Sequence, residues 1–325
     1  MMVIQGEGGQ AMASALATRM QEMMGRAIVG AHRPVQEMLV ATLAGGHVLL
    51  EGVPGVAKTL MVRALAVCLG REFRRVQMTP DLMPSDIVGT YVYDTATGQF
   101  HLRRGPIFTE FLLADEINRA PAKTQSALLE GMQERQVTID GVSHPLPPHF
   151  MVFATQNPVE FEGTYPLPEA QLDRFMLKVV VDYPAPEEED ALLVRYHSGF
   201  DAMDLAAAGL HRVADEDEIS RCRAQIAAVR VEGEVISYIS AITRATRDDP
   251  SVLLGCSPRA SVMLLLASKV LAALRGRGYL IPDDVKQMAP PALRHRMVLR
   301  PEADIEGLTP DDIIARVLAS VPVPR

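Results

Sequence analysis

Apolar residues follow two rhythms along the chain. Over residues 11–27 (AMASALATRMQEMMGRA) and 34–44 (PVQEMLVATLA) they recur at the spacing of one helix face, and Pro34 suits the first turn of the second helix. Residues 47–51 (HVLLE) then form a short, nearly continuous apolar run, which predicts a buried strand. Glycines at 52 and 55 interrupt it, and a helical run follows from about 58 to 69. Further short runs at 111–114, 150–154 and 176–181, with a helical stretch at 122–133, predict buried strands joined through helices, hence an α/β domain with a parallel sheet. Two stretches break the rhythm. Residues 86–105 alternate about a turn at 94–98, and residues 135–146 alternate about Asp140-Gly141, so each predicts a hairpin. The two prolines and the charge run of 182–189 (DYPAPEEE) mark a boundary. Beyond it the pattern is helical only, at roughly 187–197, 215–229, 232–247, 258–275, 282–295 and 309–320. The organisation expected is an N-terminal helix (1–27), an α/β domain (28–185) and a smaller helical domain (186–325).

Composition narrows the function classes. A length of 325 residues suits two domains. Hydrophobic residues reach 48% with no Trp and 17 Met, so the core is aliphatic. The net charge of −8 divides evenly between residues 1–185 and 186–325, which argues against a dedicated nucleic-acid grip. No apolar run is long enough for a membrane span, and the first residues (MMVIQGEGGQ) lack the basic and apolar regions of a signal peptide, so a cytoplasmic location is expected. Cys68, Cys222 and Cys256 are far apart and show no metal-ligand spacing; they read as small buried hydrophobes of a reducing compartment. His47 and His295 read as structural, and no cluster of His, Cys and acids suggests a tightly bound metal beyond one carried by a nucleotide.

The chemistry begins at Gly52-Val53-Pro54-Gly55-Val56-Ala57-Lys58-Thr59, directly after a strand and opening a helix. It fits the phosphate-binding P-loop pattern with one departure, Ala57 in place of glycine; a glycine-containing turn from strand to helix is the alternative. Backbone N–H groups from Val53 to Lys58 can wrap a phosphate at the helix N-terminus. Ala57 is expected at the start of the helix, where an alanine is comfortable. Lys58 would reach the β- and γ-phosphates, and Thr59 would ligate Mg²⁺. Asp115 and Glu116 follow the apolar run 111–114, where Asp115 can hold Mg²⁺ through water and Glu116 can polarise an attacking water. A third run ends in Asn157-Pro158, which places a polar amide at the carboxyl end of a strand, where ligands of open α/β sheets sit; a turn-capping asparagine is the alternative.

These motifs resemble the MoxR family of AAA+ ATPases, of the helix-2-insert type. The resemblance runs through GVPGVAKT (52–59), FLLADEINRAPAKTQSALLEGMQE (111–134), ATQNP (154–158), YPLPEAQLDRF (165–175) and GCSPRA (255–260), over roughly residues 25–300. It implies a three-layer αβα domain with a parallel sheet, followed by a small all-α lid. It implies ATP and Mg²⁺, with Lys58 and Thr59 as the Walker A pair and Asp115 and Glu116 as the Walker B pair. Asn157 matches sensor 1, and Arg174 the arginine finger that enters a neighbouring subunit's site. Arg259 matches sensor 2, and Ile28-Val29-Gly30 the stretch against the adenine. The nucleotide-binding set is then Ile28, Val29, Gly30, the loop from Gly52 to Thr59, Leu60 and Asp115. A homo-oligomeric, hexameric ring and chaperone-like work on proteins with a von Willebrand factor A (VWA) partner are also implied. The hairpins match the helix-2 insert and the hairpin before sensor 1, which face the pore or the partner in related machines.

The residues themselves leave alternatives open. Arg174 can instead pair with Asp173 or a nearby acid on the surface. Arg259 at a helix start is unfavourable beside the helix dipole unless an anion faces it. Arg119 can act at a subunit interface. The hairpins can simply pack on each other. A nucleic-acid motor and a metal-chelatase ATPase subunit belong to the same superfamily, but beyond Arg103, Arg104 and Arg135 the hairpins carry little positive charge.

Overall fold

The computed structural model describes residues 11–158 and 165–324. Two helices, α1 (Ala11–Met24) and α2 (His32–Ala44), precede the first strand, β1 (His47–Glu51), and α3 (Lys58–Leu69) follows the glycine loop. Next come β2 (Phe73–Gln77), the short α4 (Pro84–Val88) and the hairpin β3 (Gly89–Asp94) and β4 (Gln99–Arg104). Strand β5 (Phe111–Asp115), helix α5 (Ala122–Glu134) and the hairpin β6 (Gln136–Ile139) and β7 (Val142–Pro145) lead to β8 (Met151–Gln156). The α/β part closes with α6 (Glu169–Leu172) and β9 (Phe175–Val180).

Five strands form one parallel sheet in the order β2-β5-β8-β1-β9, so β1 lies between β8 and β9. Strand alternation divides the core. Val48 and Leu50 point to one face, against α1, α2 and α3, and Leu49 points to the other, against α5 and the hairpins. Strand β2 is absent from the sequence expectation. Its FRRVQ pattern carries two arginines because it is an edge strand whose residues are all at least partly exposed.

The remaining chain comprises α7 (Pro186–His197), α8 (Glu216–Ala227), α9 (Gly233–Asp248), β10 (Val252–Leu254), α10 (Pro258–Leu274), α11 (Pro282–Leu293), β11 (Val298–Leu299), α12 (Pro301–Ile305) and α13 (Pro310–Ser320). The expectation of helices alone is corrected by the antiparallel pair β10–β11. Pairing satisfies backbone groups that a connection between helices would otherwise leave to water. Leu264, Leu271, Met288 and Leu293 of these helices join the same apolar cluster as Leu16, Met38 and Val48, so the lid shares one continuous core with the sheet. Helix α7 buries none of its residues. Tyr91 of the first hairpin meets His144 of the second, Oη to Nε2 at 3.3 Å, so the two hairpins do pack on each other.

Candidate nucleotide site

The phosphate loop is shaped by close backbone approach. A Cβ on Gly52 would fall 2.3 Å from the carbonyl oxygen of Val181, so only glycine fits, and Gly55 turns with φ +89°. Ala57 is not in the relaxed helical start expected of it. It caps α3 in the left-handed region, φ 60° and ψ 22°, where its Cβ crowds the backbone and costs about 1 kcal/mol that glycine would avoid. The loop imposes this conformation as it turns into α3. Lys58 opens the helix, and its Nζ donates to the carbonyls of Gly52 and of Val53, the latter at 3.3 Å.

Both acids lie at the carboxyl end of β5, a fully buried strand. Asp115 Oδ1 accepts from Thr155 Oγ1 at 2.5 Å, and that hydroxyl in turn accepts the Glu116 N–H at 2.8 Å, so β8 clasps the acidic pair. Asp115 Oδ2 accepts from Arg75 Nε and Nη2 at 2.9 and 2.6 Å. Glu116 turns away through a left-handed φ of 59°, and its Oε2 accepts from Gln77 Nε2 at 2.6 Å and Arg119 Nη1 at 3.0 Å. Arg75 Nη2 also donates to Gln77 Oε1 at 2.8 Å. Arg75, Gln77 and Thr155 therefore hold the two carboxylates, and none was singled out from the sequence. The available signal was two polar residues at i and i+2 beside an apolar partner, which places both on one strand face.

The phosphate loop and the acidic pair meet at a cavity of about 710 Å³. It is lined by Ile28, Val29 and Gly30 at the N-terminal helices, by the loop from Pro54 to Leu60, and by Asp115, Glu116, Thr155 and Asn157. Gly52 and Val53 stand behind the lining and reach Lys58 through their carbonyls. Asn157 is buried, with 6% exposure. The volume suits a nucleotide-sized ligand at the carboxyl ends of the strands. Thr59 and Asp115 line the same cavity with oxygen donors, the chemistry that Mg²⁺ prefers.

The lid and α2 add residues that sequence reasoning passed over. Glu37 lines the cavity with its carboxyl 2% exposed as a residue; burial pushes it above the usual carboxylate range, and Arg33 Nε at 2.8 Å partly opposes this. Arg294 also lines it, paired to Asp311 at 3.0 Å. Its signal in the sequence is LRHR (293–296), where Arg294 stands beside the structural His295.

Arg174 and Arg259 do not line this cavity. Arg259 approaches Asp173, the residue before Arg174 in the chain. Its carboxylate takes Arg296 Nε at 2.7 Å, with Arg259 Nη1 at 3.9 Å and Ser257 Oγ at 3.4 Å. The alternative reading of Arg174, an ion pair with Asp173, is not realised, and its guanidinium has no partner among the described residues. Arg259, at the N-terminus of α10, has the anion that the dipole argument requires, in Asp173. His47 and His295 are structural: His47 Nε2 meets Met132 O at 3.0 Å and His295 Nε2 meets Phe175 O at 2.9 Å.

A parallel sheet with a phosphate loop between β1 and α3, and two carboxylates on the neighbouring strand, defines a P-loop nucleotide-binding protein with a helical lid. Comparison with known proteins agrees. Residues 47–177 match the ATPase family associated with various cellular activities, and residues 244–317 match the AAA lid domain. The chain is 48% identical to the uncharacterized protein YeaC of Bacillus subtilis, covering 93% of each. It is 46% identical to the chaperone MoxR1 of Mycobacterium tuberculosis, over 92% of this chain and 80% of that one. A crystal structure from Cytophaga hutchinsonii, provisionally assigned as an ATPase, superposes with a TM-score of 0.88 at 38% identity, over 98% and 97% of the two chains. The chain belongs to the MoxR family of AAA+ ATPases.

Proposed function

We propose that this protein is a Mg²⁺-dependent ATPase that works as a ring, of six copies as the resemblance implies, and remodels or matures client proteins in the cytoplasm together with a VWA-domain partner. The observation that carries the ATPase reading is the convergence of Lys58, Thr59, Asp115, Glu116 and Asn157 on one cavity. The amides of the loop and the Lys58 ammonium bind the β- and γ-phosphates. Ile28, Val29 and Gly30 take the adenine end. Thr59 and Asp115 would hold Mg²⁺, which supplies positive charge against the phosphates when bound. Glu116 accepts a proton from the attacking water, and Asn157 orients that water or the γ-phosphate. Arg174 and Arg259 serve a neighbouring copy's site, a reading supported by their exclusion from the cavity of their own chain and by the unpartnered guanidinium of Arg174. Exposed Tyr183, Leu193, Val194 and Met203 on and around α7 support contact between copies. Exposed Tyr93 and Phe100 on the first hairpin, with the acidic net charge, support a protein client over nucleic acid.

Lys58→Ala is expected to abolish ATP binding in equilibrium titration, and unchanged affinity would overturn the loop assignment. Glu116→Gln is expected to bind ATP and lower phosphate release by at least about a hundredfold. Normal turnover would refute its role. In the ring reading, specific activity rises with protein concentration, and Arg174→Ala removes that rise while ATP still binds. The Glu116→Gln protein with ATP is the bait for capturing the client and the partner.

A further inference from the structure

The far end of the sheet holds a second cavity, of about 350 Å³, that shares no lining residue with the first. It lies at the strands' amino ends, beside Phe111 of β5 and Met151 of β8, whereas the nucleotide cavity lies at their carboxyl ends. Its walls come from the ends of α2 and α3 and from lid helices α8 and α10. Leu43, Leu69, Phe111, Ile219, Leu266 and Val270 make much of it apolar.

Its charge is one-sided. Arg71, Arg135, Arg223 and Lys269 line it, and no acidic residue does. Arg71 is neutralised from outside by Glu110 and Glu216, each at 2.7 Å. The other three have no carboxylate partner among the described residues and touch only neutral groups. Arg135 Nη1 donates to Pro148 O at 2.9 Å, and Lys269 Nζ to Ala227 O at 2.8 Å. Arg223 donates to Thr42 O at 3.3 Å from Nη2 and meets His149 Nδ1 at 3.2 Å from Nη1. His149 Nε2 lies 2.9 Å from Glu216, so its proton sits there and Nδ1 is free to accept. Arg223 Nε is buried with no hydrogen-bond partner among the described residues. Capping the end of α2 thus uses only part of this guanidinium. Burial, then Arg71, hold Arg223 below the usual arginine range; Glu216 opposes them and Arg135 adds repulsion. Arg223, half-buried with its Nε unpartnered, carries a desolvation cost that Glu216 offsets only in part, while Lys269 and Arg135 stand nearer to solvent. A bound anion relieves that cost.

We propose that this cavity binds a small organic anion, an apolar body with a carboxylate or phosphate head, whose head meets Arg223 and Lys269. The ligand would tie α8 and α10 of the lid to the floor of the sheet. The volume is at the lower end for ligand pockets and suits a body of octanoate or phenyl phosphate size. Nothing in this assignment depends on the nucleotide reading.

Isothermal calorimetry on the full chain with octanoate, phenyl phosphate and the uncharged 1-octanol tests it. Saturable one-to-one binding of at least one anion is expected, weakening as salt rises, with 1-octanol at least about tenfold weaker. The tighter of the two anions identifies the head group. Arg223→Met and Lys269→Gln are each expected to cost about tenfold or more, while Lys58→Ala leaves the affinity unchanged. If Arg223→Met fails to fold by circular dichroism, Lys269→Gln carries the test. The proposal is overturned if neither anion binds saturably, if ATP displaces the bound anion in competition, or if a folded Arg223 or Lys269 variant binds as well as the wild type.

Discussion

Single residues carry both strain and pH sensitivity here. Ala57 keeps a left-handed conformation that only the surrounding loop enforces. A β-branched side chain there would clash with its own backbone. Ala57→Val should therefore weaken ATP binding by about tenfold or more, and Ala57→Gly should retain it, as measured by equilibrium titration. His47 offers a second case. Its Nδ1 accepts the Val152 N–H at 2.9 Å, so Nε2 carries the proton toward Met132 O, and burial pushes the ring's pKa from 6.5 down to about 4. Between those pH values the unfolded chain binds a proton that the folded chain refuses, so stability falls as pH drops from 6.5 to 4 and levels off below. The loss is on the order of 3 kcal/mol. His295, held well below its usual value by burial and then by Arg296, adds the same sign. Urea midpoints against pH should fall through this window in the wild type and fall less steeply in His47→Gln.

At the scale of elements, the acidic pair is held from both sides. Thr155 of β8 takes one side and Arg75 with Gln77 of β2 the other. Thr155→Val keeps the shape but strips the partner from the Glu116 N–H and from Asp115 Oδ1. A cost of about 1–3 kcal/mol in denaturant unfolding is expected, with slower turnover and with ATP binding through Lys58 retained. The strand that bears Asp115 was legible because FLLAD is buried on both faces, and the hairpins because their turns announce them. Strand β2 was not. An edge strand need not be apolar, and FRRVQ carries no periodic signature distinct from a loop. Its two contributions to the site, Arg75 and Gln77, went unread with it.

For the whole molecule, Arg296 ties the lid to the sheet beside the apolar core that the two share. Arg296 donates to Asp173 Oδ1 and to the carbonyls of Asp173, Phe175, Met176 and Ala292, nearly all out of water. Removing it leaves a partly buried carboxylate and several carbonyls without donors. Arg296→Met should lower stability by about 3 kcal/mol in urea unfolding. The same Asp173 faces Arg259 at the start of α10, so this substitution should also disturb any role of Arg259 between copies, read as loss of concentration-dependent ATP turnover. Among the described residues no helix is long and apolar enough to cross a membrane.

The sequence by itself determined the elements whose code is local. Apolar periodicity names buried strands and helices, and a glycine loop between strand and helix names a phosphate site, because both rest on neighbours in the chain. It also brought Lys58, Asp115 and Asn157 to one kind of chemistry by their places at the ends of strands. Only the tertiary structure decided which distant groups complete that site and which stay apart from it. Arg75, Gln77, Thr155 and Arg294 come to the acids and the cavity from other strands and from the lid, and Asp173 is spent on Arg296 rather than on Arg174. Such pairings follow from packing across the core, between residues whose separation in sequence carries no trace of their contact.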